Sequence, residues 1–207
     1  MPDYSIYNIT DTAYGFLSRG CPRGCAFCHV AEKEGRKAYK VADLTEFWNG
    51  QKNIVLLDPN ILACKESEEL LGQCIDSSAD IDFNQGLDIR LMTETKAKLL
   101  QSIKVKQLHF AWDRYEDGKH IIPKLEMFKE YTKLGARNLI VYVLCNFDTT
   151  IQQDLERIYT LRDMGYWPYV MLYNKESIPR GHEYKRLQRW VNNRFIFAQV
   201  ERFEDYK

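Results

Sequence analysis

The chain has no excess charge of either sign. Lys and Arg together number 29, and so do Asp and Glu, so net charge favours neither a nucleic-acid nor a membrane-surface partner and leaves open only a local basic patch. Long apolar runs are lacking as well, since no stretch approaches the ~18 residues that span a bilayer. The opening, MPDYSIYNITDTAYGF, has no basic region followed by an apolar one, so no export signal is expected and the expected setting is cytoplasmic, away from membranes. Linker-like and low-complexity stretches are also wanting. Residues 1–207 are therefore read as a single domain around one core.

Cysteine is sparse but unevenly spent. Six occur, at 21, 25, 28, 64, 74 and 145, and three of them crowd into SRGCPRGCAFCHV, residues 18–30. In a reducing compartment such thiols serve as thiolates and metal ligands rather than as disulfides. A structural zinc site wants four ligands, yet no second CxxC or HxxxH pair accompanies the set, and His29 lies too near Cys28 to be an easy fourth. Three thiolates on one loop suit an iron–sulfur cluster with one iron left open to another ligand. Gly20 and Gly24 allow the unusual backbone angles of a tight loop, and Pro22 stiffens it. An ordinary zinc or packing loop is the alternative.

Short apolar, β-rich runs recur along the chain at AYGFLS (13–18), NIVLLD (53–58), IDFNQG (81–86), QLHFAWD (107–113), NLIVYVLCN (138–146) and WPYVMLYN (167–174). Helix-like segments separate them: VADLTEFW, ESEELLGQC, TETKAKLLQSI, IIPKLEMFKEYTKL and TTIQQDLERIYTLRDM, with Gly135 and Gly165 as helix stops. Strands alternating with helices at ~30-residue steps predict βαβ units and a parallel sheet, because a parallel pair needs a crossover long enough to hold a helix. LIVYVL and NIVLL are apolar throughout, as expected of strands buried on both faces. The fold class is α/β. Six units are too few for the closed eight-stranded barrel of about 250 residues, so an open partial (β/α)6 barrel is expected. The C-terminal segment predicts a helix over 184–192, packed beside the sixth strand, and a short strand near 195–200.

The cysteine set follows the first predicted strand, on the face where active sites of parallel barrels collect. SRGCPRGCAFC, with Phe27 before the last cysteine, resembles the cluster-binding loop of the radical S-adenosylmethionine (radical SAM) superfamily. Its Arg-Gly-Cys lead-in is most similar to the methylthiotransferase and cobalamin-dependent branches. The resemblance implies a six-stranded partial barrel over most of the chain and a 4Fe-4S cluster on Cys21, Cys25 and Cys28, with SAM on the fourth iron. It also implies an external electron donor of flavodoxin or ferredoxin type, oxygen sensitivity, and a 5′-deoxyadenosyl radical that takes hydrogen from a substrate.

The family often contacts the amino group of SAM just after its second strand. LLDPNIL stands there in this chain, and Asp58 and Asn60 match the acidic variant of that motif, with Pro59 departing from it. In NQGLDIRLM, Gln85, Asp88 and Arg90 fall where the family meets the ribose or carboxylate of SAM, Arg90 being the natural bidentate partner of a carboxylate. An Asx turn at 58–60 and an Asp88–Arg90 pair are the plainer readings. Asp113 and Asn146, at the ends of the fourth and fifth strands, are further candidates for SAM or substrate contacts. Cys145 is a weak candidate hydrogen-atom donor, although a small core residue fits it better.

The length is that of a minimal member without added modules. A protein, nucleic acid or nucleotide substrate, or a partner subunit, is therefore expected to close the open barrel. Lys175, Arg180, Lys185, Arg186, Arg189 and Arg194, with Trp190 among them, form a basic segment that could meet phosphates. The other functions kept open are an activase that installs a glycyl radical on a partner enzyme, and a non-enzymatic Fe–S or zinc module.

Overall fold

The computed structural model describes residues 2, 6 and 8–207. The chain clusters into two compact units, residues 1–109 with 124–133, and residues 110–123 with 134–207.

The first unit is built on a parallel sheet of β1 (Thr12–Gly15), β4 (Asn53–Leu56) and β5 (Asp80–Phe83), in that order and in register from Thr12↔Asn53 and Asn53↔Asp80. Its strands bury alternate residues. Ala13, Ile54, Leu56, Ile81 and Phe83 lie in the core, while Tyr14, Val55 and Asp82 point to the other face and stay partly or fully exposed. The crossover helices α2 (Ser67–Ser77) and α3 (Glu94–Ser102) contribute Leu70, Leu71, Cys74, Ala97 and Leu100 to that core. Each such side chain contributes roughly 1.5–3 kcal/mol when fully buried if it is of leucine size. Thr93 starts α3 by accepting from the Lys96 N–H.

A two-residue antiparallel ladder, β2 (Ser18–Arg19) with β3 (Tyr39–Lys40), closes the base of the loop that carries the three cysteines; the short helix α1 (Val30–Glu34) lies within it. The strand expected over 13–18 is thus divided. Phe47 packs so closely on Gly15 that a Cβ there would sit 2.5 Å from its ring, and the next amides, of Leu17 and Ser18, are given to Asp58 instead of a sheet ladder. VADLTEFW makes only a 3-10 turn at Leu44–Glu46, closed by an Asp43/Glu46 capping box.

The second sheet has the order β6 (Leu108–Ala111), β7 (Leu139–Cys145), β8 (Trp167–Leu172), with β7 and β8 parallel. The chain passes from one unit to the other within β6, within α4 (Gly118–Tyr131) and again between Lys133 and Leu134. β7 is buried on both faces apart from Tyr142, as its composition predicts, whereas β4 is covered on one face only. α5 (Ile151–Asp163) packs on β7 and β8. Thr150 and Gln153 cap its start reciprocally, and Gly165, at φ 74°, follows its end. Gly135 does not act as a helix stop. It is extended, at φ −79° and ψ 170°, four residues past the end of α4.

α6 (Glu183–Asn192) covers β8 as expected. The following segment is a helix, α7 (Arg194–Gln199), and not the strand anticipated near 195–200. The Asn193 side chain accepts from the Phe195 and Ile196 N–H groups and nucleates it; FIFAQ lacks strand alternation, since Phe197 is buried and Ala198 and Gln199 are both exposed. At the edge of β8, the Asn192 amide accepts from Val170 N–H at 2.8 Å and donates to Val170 C=O at 3.0 Å. A side chain thereby occupies both backbone groups of a strand that would otherwise offer them to another chain. Asn192→Ala is expected to cost about 1–3 kcal/mol in urea denaturation and to raise concentration-dependent association.

Candidate functional site

The parallel order β1-β4-β5 brings three loops side by side at the C-terminal ends of these strands: the cysteine loop, the 57–60 segment and the 84–92 segment. Asp58 organises the first two. It is 4 % exposed, and its carboxylate accepts from Leu17 N–H at 3.2 Å, Ser18 N–H at 2.5 Å and Ser18 Oγ at 2.6 Å. Burial pushes this carboxyl above the usual range, against the pull of those hydrogen bonds.

From Ser18 the chain enters the loop through several ties. Glu34 accepts from Gly20 N–H at 3.0 Å and pairs with Arg19 at 2.9 Å, and Cys21 N–H donates to Gly35 C=O at 3.2 Å. Gly20, at φ +81°, lies where a Cβ would be 2.1 Å from Lys37 C=O. No larger residue fits that cradle without moving backbone. Gly24, at φ +57°, lies against the Arg36 guanidinium. Cys28 N–H donates to Cys25 C=O at 3.0 Å, forming a turn that includes the half-buried Phe27. No disulfide joins any of the six cysteines; Cys21 and Cys25 are half-buried and Cys28 is exposed.

The third loop reaches the first through Asp88. Its carboxylate receives Arg23 Nε at 2.5 Å and Arg90 Nε at 2.8 Å, and it also caps Arg90 N–H at 3.2 Å. Burial would raise this carboxyl, but the hydrogen bonds and charges of Arg90 and Arg23 hold it below the ordinary value. Arg90 is therefore engaged with Asp88, the plainer of the two readings of that segment. Gln85 is exposed beyond the end of β5.

Asn60 stands where the three loops meet. It is 3 % exposed, and its Nδ2 lies 3.5 Å from both Cys21 Sγ and Asp88 Oδ2. Its Oδ1 is buried without a hydrogen-bond partner. Such an orphan is costly, about 1–3 kcal/mol, unless something fills the need. A ligand amine or ammonium beside Cys21 would do so. The donor set fits a thiolate-held cluster in kind. Among the described residues no three His, Cys, Asp or Glu side chains already form a cage for a metal ion, so the loop would have to draw its thiols together around one.

The other candidates belong to the second unit. Asn146, at φ +61°, donates from Nδ2 to Tyr173 C=O at 3.0 Å, and Asp113 is half-buried past the end of β6. Cys145 is fully buried; burial, with Asp154 nearby, pushes its thiol far up, so it stays protonated as a core residue does. Sequence reading passed over Arg157, which is fully buried and donates to the carbonyls of Trp112, Asp113 and Leu144 at 2.5, 2.8 and 2.8 Å while pairing with Asp154 at 2.5 Å. Its one guanidinium gathers the strand ends that carry Asp113 and Cys145. An Asp and an Arg three residues apart on the apolar stripe of α5 were the available signal. Ser18, Arg23 and Glu34 were likewise unmarked, although all three tie down the loop.

No protein-family model and no curated protein matches the chain. What the site can do is therefore read from its own side chains. Among the described residues no helix is long and apolar enough to cross a membrane.

Two outcomes check this construction. Because the Asp58 carboxyl is raised by folding, the native state keeps a proton there that the unfolded chain loses near the ordinary pKa of about 3.9. Stability should fall as pH rises from that value to the raised one and stay level above it; Asp58→Asn should remove that segment in pH-dependent chemical denaturation. Asp88 acts with opposite sign, its contribution being present above about 3.9 and lost as pH falls through its lowered value. Gly20→Ala should cost about 2–3 kcal/mol, read from the shift of the denaturation midpoint.

Proposed function

We propose that this protein is a radical SAM enzyme, whose Cys21, Cys25 and Cys28 hold a 4Fe-4S cluster and whose neighbouring loops hold SAM. Asn60 carries the reading. A buried acceptor without a partner, beside a cluster thiol and on the segment where a ligand amine is expected, is what a SAM site in waiting would contain. When bound, the cluster supplies the electron that splits SAM into methionine and a 5′-deoxyadenosyl radical able to take a hydrogen atom from the substrate.

The chain's own residues then have definite tasks. Asn60 Oδ1 accepts from the amino group of SAM, and its Nδ2 donates toward Cys21 Sγ, fixing the amide's orientation. Asp88 holds Arg23 and Arg90 on opposite sides of its carboxylate, which ties the cysteine loop to the 84–92 segment and keeps Arg90 near enough to exchange Asp88 for the carboxylate of SAM. Asp58 fixes the root of the loop at Leu17 and Ser18. Phe27, the residue before Cys28, is assigned to the cofactor site. Asp113 and Asn146 are assigned to SAM or substrate. Cys145, buried and protonated, is assigned to the core.

The finer architecture proposed is a partial (β/α)6 barrel, its strands running parallel with their C-terminal ends carrying the site. An external flavodoxin or ferredoxin supplies the electron in the cytoplasm. A macromolecular or nucleotide substrate completes the barrel.

Anaerobic reconstitution with iron and sulfide, followed by dithionite and SAM, should yield 5′-deoxyadenosine and methionine in equal amounts, and the cluster chromophore should bleach in air. A zinc or electron-storing module would load metal and give no 5′-deoxyadenosine, which would sink the proposal. Replacing any of the three cysteines by Ala should abolish both cluster and product. Asn60→Ala should retain the chromophore but weaken SAM binding about tenfold, the equivalent of ~1.4 kcal/mol, with Asn60→Asp recovering most of it.

A further inference from the structure

Phe195 is 82 % exposed, although it is the second residue of α7 and its neighbour Phe197 is 4 % exposed. Holding α7 to the second unit is the work of Phe197, which meets Trp190 and Trp167 edge-on at 4.9 and 5.4 Å and carries the Arg162 guanidinium 3.6 Å above its ring. Phe195 therefore adds nothing to the core, and its exposed ring forgoes the gain that burial gives an apolar side chain. It borders a groove of about 260 Å³ lined by Arg137, Trp167, Arg194, Phe195, Ala198 and Gln199.

The lining has a definite chemistry. Two residues are aromatic, two are arginines, and none is acidic. Arg194 lies 5.5 Å over the Trp167 ring and donates from Nη2 to Arg137 C=O at 3.3 Å, so the two arginines border the same groove. Ala198 leaves the floor open, and the Gln199 amide offers a donor and an acceptor. Lining of one sign repels cationic partners and favours anionic ones. The volume falls below the range of about 300–1,000 Å³ typical of a pocket that engulfs a whole ligand, so the groove suits one unit of a longer chain. Planar faces beside guanidinium groups suit a flat base carrying a phosphate, and Phe195, with no polar atom, would stack on any base.

We propose that this groove binds a nucleotide of a single-stranded nucleic acid, its base stacked on Phe195 and its phosphate held by Arg137 and Arg194. The proposal rests on the second unit's surface alone. It would name the substrate or partner class of the enzyme proposed above, but no step of it depends on the cluster.

The test is fluorescence anisotropy of the full-length chain with labelled ten-nucleotide oligo-dT and oligo-U, over a series of salt concentrations. Binding by the unaltered chain is expected, with the preferred oligomer telling DNA from RNA. Phe195→Ala should weaken it at least about fivefold with an unchanged thermal midpoint, because the side chain is exposed, and Phe195→Trp should restore it. Arg137→Gln and Arg194→Gln should each weaken it and lower the slope of log affinity against log salt by about one. Failure of both oligomers to bind at low salt, or equal binding by Phe195→Ala, would overturn the proposal. So would displacement of the oligomer by a Glu-rich, aromatic decapeptide whose own binding depends on Phe195, since the groove would then belong to an acidic protein. Formation of 5′-deoxyadenosine is not read in this experiment, so it and the radical reading stand or fall separately.

Discussion

A carboxylate with no cation beside it among the described residues holds the site together. Among the described residues the hydrogen bonds to Asp58 come from Leu17, Ser18 and the Ser18 hydroxyl, and burial still raises its pKa. The ionised form is therefore disfavoured by its surroundings and tolerated because three donors have no better acceptor. What it secures is direction. The chain must leave β1, abandon its ladder and turn into the cysteine loop within three residues, and the amides freed at that turn would otherwise be buried without partners. Once Asp58 takes them, the β2–β3 ladder can close, and Glu34 and Gly35 can bind Gly20 and Cys21 from the far side.

The same economy recurs farther along the first unit. Asp88 is half-buried yet held below the ordinary carboxylate pKa, because two guanidinium groups outweigh the desolvation. One carboxylate is thus kept by hydrogen bonds alone and the other by charge. The difference suits their positions: Asp58 lies under the root of the loop, where nothing needs to move, whereas Asp88 is half-buried between the cysteine loop and the 84–92 segment, where a ligand carboxylate could compete for Arg90. Ion pairs that are partly solvated exchange partners at little cost. Two amide hydrogen bonds and one from a hydroxyl in a dry site do not.

Much of the architecture was legible because it depends on period and composition. Each of the six apolar runs contributes a strand, the first of them divided, and α-helices form in four of the five helix-like segments between them. Legibility fails where a tertiary contact overrides local pattern. Nothing within AYGFLS shows that Phe47, 32 residues on, will press against Gly15 or that Asp58 will take the amides of Leu17 and Ser18. FIFAQV is rich in β-formers, but Asn193 captures two amides and turns it into a helix. Of the site, residue types and chain positions could be read, and geometry could not. Asp58, Asn60 and Asp88 stood out as polar groups after strands, yet the Asn60 acceptor left without a partner is visible only in three dimensions.

That orphan separates two kinds of polar residue that sequence treats alike. Asp58 and Asn60 are two positions apart and almost equally buried, yet their polar atoms are not equally satisfied. Asp58 is satisfied by neighbours within the fold. Asn60 is satisfied on one side only, its Nδ2 facing Cys21 and Asp88 while its Oδ1 has no hydrogen-bond partner. A fold that needed Asn60 only for packing would do as well with an apolar residue of similar size, which would leave no acceptor stranded. The unsatisfied half is intelligible if its partner arrives from outside the chain, and the position of the other half, against a cysteine of the opening cluster, says where that partner must sit.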